Sequence, residues 1–192
     1  MTNRAGSLPR AHRLLAPRIA YLIGTRSPDG EANLIPVSNL TSISTDPQLI
    51  VIAVYRAWKT YDNLQASDTF TLSVPTVEQQ DGVWRLGARY SRYDFPDRTT
   101  KLTESGLTLD LNPDLPGPVL TDGIGWLSCH ITSRPDIDGD HGVYIGQITH
   151  VEFNDDYLTQ DGTPTSDLHP LMQITGNRFT TPGPAFTIPY GQ

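Results

Sequence analysis

Apolar positions along the chain fall mostly into short runs with a period of two or with no period, the mark of strands rather than helices. "RIAYLIGTRS" (18–27) is rich in β-branched and aromatic residues and ends at Pro28-Asp29-Gly30, a turn sequence. "ANLIPVS" (32–38) resumes the extended pattern, so a hairpin is expected. After "TDPQ", a turn, "LIVIAVY" (49–55) is a continuous apolar run expected to form a strand buried on both faces. A helical period emerges in "AWKTYDNLQAS" (57–67), where Trp58, Tyr61 and Leu64 share one side. "TFTLSVPT" (69–76), "GIGWLSCHITSRPDI" (123–137), "GVYIGQITHVEF" (142–153) and "LMQITGNRFT" (171–180) predict further strands. "DGDHG" (138–142) is expected as a tight turn, and "KLTESGLTLD" (101–110) as a short helix ending near Gly106. From 77 to 100 the pattern loosens into an irregular excursion carrying many of the arginines and tyrosines.

Many short strands with two or three short helices predict a mainly β fold, a closed or nearly closed antiparallel barrel. A parallel α/β fold needs long helices between its strands, and no Gly-x-Gly-x-x-Gly follows a strand, which argues against a dinucleotide-binding unit. At 192 residues, without internal repeat or clear linker, the chain reads as one domain spanning 1–192.

Composition removes several function classes. The net charge of −7 argues against a general nucleic-acid or anionic-membrane binder, since both need extended basic surface. The single cysteine, Cys129, rules out an internal disulfide framework or a cysteine zinc site, and its run "WLSCHI" places it in a core. His130, His141 and His150 lack metal-ligand spacing, so no metal is expected, and no Gly-x-Ser-x-Gly offers a nucleophile. No stretch approaches the ~18 apolar residues of a membrane helix. The basic start reads as folded chain rather than a signal peptide, and the expected location is the cytoplasm.

Three stretches could carry chemistry. Residues 33–45, "NLIPVSNLTSIST", hold no charged side chain, only Asn33, Ser38, Asn39, Thr41, Ser42 and Ser44 among apolar neighbours. They can offer neutral donors and acceptors to a flat heteroaromatic ligand, or simply satisfy their own backbone on an edge strand. In "VYRAWKTYDN" (54–63), Arg56, Lys59 and Thr60 crowd a strand-to-helix junction. Cations there oppose the helix dipole unless an anion lies between them, so the cluster is either a phosphate holder or a solvated helix start. His141, between Asp140 and a strand, can donate to a ligand, move a proton, or stand in a solvated turn.

Taken in order from about Pro17 to Phe179, these segments resemble the flavin reductase-like family of FMN-binding split-barrel proteins. The likeness lies in the "DG…N" hairpin, the Ser/Asn/Thr-rich segment, "STDPQL" and the "TYDN" helix start. It continues in "DGDHGVYIGQITHVE" and "LMQITGNRFT". The resemblance implies an FMN-binding homodimer that takes hydride from NADH or NADPH and passes electrons to an acceptor, a partner monooxygenase being one candidate. An alternative is a flavin carrier, or a flavoprotein served by a non-nicotinamide donor. It further implies that Ser38, Asn39, Thr41 and Ser42 line the flavin ring and ribityl chain. Arg56, Lys59 and Thr60 would hold the phosphate with Asn63 supporting the turn, Tyr55 would be a further cofactor contact, and His141 would lie near the flavin on the nicotinamide side. The 84–98 excursion, with Arg89, Tyr90 and Arg92, would close over the site from either subunit. Leu40, Val143, Tyr144 and Phe179 depart from the residues more usual in the family.

Overall fold

The computed structural model describes residues 6–87, 95–186 and 188. The first apolar run is cut at Ala20, whose N–H donates to the Leu171 carbonyl, giving β1 (Arg18–Ile19) and β2 (Tyr21–Arg26). Next come β3 (Ala32–Val37), β4 (Leu40–Thr45), β5 (Gln48–Tyr55), helix α1 (Lys59–Ala66) and β6 (Thr69–Val74). Within the 77–100 excursion helix α2 (Gln80–Leu86) forms and α3 (Arg98–Thr103) begins, while Arg89, Tyr90 and Arg92 lie outside the described residues. The rest comprises β7 (Leu109–Asp110), β8 (Val119–Leu120), β9 (Gly125–Ser133), β10 (His141–Phe153), β11 (Met172–Thr175) and β12 (Arg178–Thr180).

Seven strands pair antiparallel in the order β3-β2-β6-β9-β10-β5-β4. The two outermost strands, β3 and β4, are consecutive in the chain and joined only by Ser38 and Asn39. Three residue steps reach at most about 11 Å, so the sheet must roll until its edges nearly meet. Among the described residues no ladder joins β3 to β4. The result is the expected antiparallel split barrel.

Inside it, Ile23, Ile52, Val54, Phe70, Leu72 and Tyr144 form one core with Leu64 of α1. A second core, with Leu22, Leu34, Val83, Leu86, Leu102 and Leu171, fastens α2 and α3 to the outside of β2–β3. Cys129 is buried in the first core, and that burial pushes its thiol up to about 12, so it is inert packing.

Several local expectations change. β5 is not buried on both faces: Ile50, Ile52 and Val54 point inward, while Val51, Ala53 and Tyr55 stay half-buried on the outer face. "DGDHG" is not a tight turn, because β9 ends at Ser133 and residues 134–140 form a seven-residue loop before His141 opens β10. "LMQITGNRFT" is a hairpin rather than one strand, turned at Gly176, whose φ of 54° suits glycine. α3 starts three residues earlier than the apolar pattern indicated, because Asp97 caps it by accepting from the Thr100 N–H at 2.7 Å. The β7–β8 hairpin carried too few residues to register as a period.

Candidate functional site

A cavity of about 370 Å³ opens where the barrel is split. Its walls come from five places: Asn33 to Val37 on β3, the Ser38–Asn39 link, Ala57 to Thr60 at the start of α1, α2 with Trp84, and Arg98 and Lys101 on α3. Gln173 and Phe179 close the far side from the β11–β12 hairpin. Ile35, Val37, Val83, Trp84, Leu86 and Phe179 make the lining predominantly apolar, and the Trp84 and Phe179 rings meet edge to face with centroids 6.1 Å apart. The size and apolar walls suit an organic ligand.

The polar groups gather at defined points. α1 begins without a side-chain cap; the Tyr61 N–H donates to Trp58 O at 2.9 Å, and among the described residues the Lys59 and Thr60 N–H groups are left without a backbone acceptor. Thr60, in that first turn, is fully buried and accepts from the Asn33 amide at 2.8 Å. Behind it Asn63 donates to Thr25 at 3.0 Å, bolting α1 to β2. The ring of Tyr61 lies against Gly142, where a Cβ would come within 2.6 Å, which sets how closely α1 approaches β10. In the link, Asn39 accepts from Arg18 at 2.7 Å and Ser38 donates to Gln173 at 3.3 Å.

Three cations line the cavity: Lys59, Arg98 and Lys101. Arg98 is paired with Glu31. Lys59 and Lys101 have no carboxylate within ion-pair distance among the described residues. Burial, with the Arg98 charge as a lesser cause, pushes the Lys101 ammonium down to about 8. Its one hydrogen bond among the described residues, to the Leu34 carbonyl at 3.5 Å, is long. Asp29 is held below the usual carboxylate range, chiefly by the Ser27 hydroxyl and to a lesser degree by Lys59 and Arg98. A cradle of cations, N–H groups and a hydroxyl at one end of an apolar cavity is built to take an anionic group on an otherwise flat, apolar molecule.

Of the residues anticipated from sequence, the cavity brings together Ser38, Asn39, Lys59 and Thr60. Thr41 and Ser42 are exposed on β4, outside the lining. Arg56 turns away: its N–H continues the β5–β10 ladder by donating to Asp140 O, and its guanidinium donates to Ile137 O at 3.2 Å. It also lies 5.8 Å over the Tyr61 ring and 4.0 Å from Asp136. Asn63 sits behind the cavity wall. Tyr55 and His141 pair across β5 and β10, their rings 5.6 Å apart, on the sheet's outer face. His141 Nδ1 meets Asp140 at 2.6 Å, and that contact holds the Asp140 carboxyl below its ordinary range.

Lys101 and Gln173 were not anticipated, and Trp84 and Arg98, which bound the 84–98 excursion expected to close over the site, were not singled out within it. The available signal was thin: a helix start, "DRTTK", inside a segment whose period had loosened.

The comparisons agree with this geometry. Residues 13–181 match the model of the flavin reductase like domain. An uncharacterized protein of Pyrococcus abyssi is 24% identical over 170 residues, covering 88% of this chain and 93% of its own. Among solved structures, an FMN-binding protein from Thermus thermophilus, with bound 1-cyclohex-2-enone, is 20% identical. It aligns with 98% of this chain and 99% of its own at a TM-score of 0.77. Nitrilotriacetate monooxygenase component B from Bacillus cereus aligns at a TM-score of 0.80 with 16% identity, over 98% of both chains. Both structures share the split-barrel fold. The chain belongs to the flavin reductase-like domain family, which places it among flavin-linked oxidoreductases.

Proposed function

We propose that the protein is an NAD(P)H-dependent flavin reductase that holds FMN in the cavity between the α1 start and the β11–β12 hairpin. The observation that carries this reading is the cation and hydroxyl cradle of Lys59, Thr60 and Lys101 at one end of an apolar cavity, in a chain of this family. The residues fit the group: Lys101 is a half-buried ammonium without a carboxylate partner among the described residues, and α1 presents uncapped N–H groups. Lys59, Thr60 and the first N–H groups of α1 take the phosphoryl end. Ser38, Asn39 and Gln173 supply neutral hydrogen bonds, while Ile35, Val37, Trp84 and Phe179 exclude water from the ring. FMN, when bound, supplies the hydride- and electron-accepting chemistry, so no side chain need act as nucleophile or general base.

The same reading includes a homodimer. Val51, Ala53 and Tyr55 of β5 lie beside Val143, Ile145 and His141 of β10 on the outer face, in the registers Ala53↔Val143, Val51↔Ile145 and Tyr55↔His141. An outer sheet face left to water would alternate to polar residues, and this one does not. Ala53 belongs both to that face and to the cavity lining, so a second copy seated there would close the cavity and bring His141 to its rim. Val143→Asp is expected to shift the protein to a monomer by light scattering; an unchanged mass would remove this face from the interface.

A visible spectrum tests the flavin. Purified protein, as isolated or after adding FMN, is expected to show a protein-bound flavin band that bleaches on anaerobic mixing with NADH or NADPH. A bound flavin that neither nicotinamide bleaches would favour the carrier reading, and a protein that takes up no flavin would overturn the proposal.

A further inference from the structure

We infer that Asn33 is a positioning residue that turns the Thr60 hydroxyl into a dedicated hydrogen-bond donor toward the cavity, and so sets a preference for a phosphorylated flavin over its unphosphorylated form. This rests on the flavin reading above and adds a residue and a specificity to it.

The argument is a count of donors and acceptors in a dry place. Thr25, Asn33, Thr60 and Asn63 are each at most 5% exposed, and together they form one network under the cavity floor. The Asn33 amide nitrogen donates to Thr60 Oγ1 at 2.8 Å and, more weakly, to Thr25 Oγ1 at 3.4 Å. The Asn63 amide nitrogen donates to Thr25 as well, at 3.0 Å. Every bond in the network therefore runs from an amide N–H to a hydroxyl oxygen. A hydroxyl whose oxygen is accepting still has a proton to place, and a buried proton without an acceptor is costly.

For Thr60 the Asn33 amide is the one hydrogen-bond contact among the described residues, and no carbonyl or carboxylate takes its proton. Thr60 and Asn33 both line the cavity, so the cavity is where that proton can find an acceptor. A phosphoryl oxygen, which only accepts when ionised, fits this arrangement. The flanking Lys59 and the α1 N–H groups present donors to the same end. A terminal ribityl hydroxyl, itself both donor and acceptor, gains less from a site whose groups can only donate. β3 fixes the Asn33 backbone by pairing it with Thr25, so the Asn33 side chain is anchored in the barrel wall.

The test is a fluorescence titration of FMN and of riboflavin against wild type, Asn33→Ala, Thr60→Val and the double variant, with circular dichroism and melting to establish folding. Wild type is expected to bind FMN more tightly than riboflavin. Asn33→Ala should cut the FMN-to-riboflavin affinity ratio by about tenfold, the scale of one well-placed hydrogen bond. In the Thr60→Val background the Asn33 change should do almost nothing further, because its effect passes through the missing hydroxyl. Asn33→Asp provides the second variant: an ionised carboxylate draws the Thr60 proton to itself, so FMN affinity should fall and then recover, relative to wild type, as pH drops and the acid can donate again. A ratio unchanged in Asn33→Ala and Asn33→Asp, or additive losses in the double variant, would overturn the inference. Wild-type protein that binds neither flavin would instead overturn the proposed function, and this assignment with it.

Discussion

Two regions of this molecule combine a cation with the end of β5, and they do opposite things with it. At the outer rim, Arg56 is tied down by Ile137 O, the Tyr61 ring and Asp136, in an open groove where Asp138 adds a further carboxylate. Three residues on, Lys59 joins Thr60, Arg98 and Lys101 at a cavity where neither lysine has a carboxylate partner among the described residues. The exposed groove satisfies its cation from within, so it has little left to offer an anion, and an exposed pair contributes little to stability. At the cavity Lys59 is exposed and Lys101 half-buried, and both leave their charges for something else. A cluster of positive residues in a sequence therefore says less than where the protein has put the negative ones.

The largest expected effect lies at the buried end. Lys101→Met should weaken FMN binding by ~1.5–3 kcal/mol, the range for a charge-assisted hydrogen bond. Loss of no more than ~0.3 kcal/mol would take Lys101 out of the cradle.

The next effect is a pH dependence with a definite sign. Desolvation lowers Lys101 from 10.5 to about 8 in the folded chain, so between those values the unfolded chain binds a proton that the folded one lacks. Stability of the flavin-free protein should thus rise with pH across that window, while below about 8 the cost of the buried charge is constant. Binding runs the other way. An anion favours protonated Lys101, so FMN affinity should be level below about 8 and fall as pH rises above it, by up to about tenfold per pH unit. Both slopes should vanish in Lys101→Met, as chemical denaturation and flavin titration at several pH values would reveal; slopes that persist there must come from another group.

The smallest effect belongs to the groove. Asp136→Asn and Asp138→Asn are exposed changes and should alter both FMN affinity and stability by less than ~0.5 kcal/mol. A large gain in FMN affinity on removing either carboxylate would mean that Arg56 had been held back from the ligand.

The strands were legible in the sequence as short apolar, β-branched runs bounded by turn residues, but the continuous run "LIVIAVY" hid that only Ile50, Ile52 and Val54 of its strand face inward. The family likeness, carried by ordered short motifs, supplied the split barrel and the flavin. Lys59 and Thr60, which line the cavity, stood out in the sequence because they adjoin a helix start. Arg98 and Lys101 did not: some forty residues separate them from Lys59, and only the rolling of the sheet, with α3 packed on β3, brings them to the same cavity. Arg56 lies outside the cavity lining for the converse reason. It is near Lys59 in sequence, but its backbone extends the β5–β10 ladder, and that one extra rung aims its side chain at residues 136–139. Thr41 and Ser42 show the same limit, since β4 carries them onto an exposed strand just beyond the two link residues that do line the cavity.

Because the two cations sit on the same short stretch, one paired titration separates them. FMN binding measured by flavin fluorescence for Lys59→Ala beside Arg56→Ala is expected to show a loss of ~1.5–3 kcal/mol for the lysine and less than ~0.5 kcal/mol for the arginine. Full affinity in Lys59→Ala together with a large loss in Arg56→Ala would contradict the account and move the phosphoryl group to the outer rim.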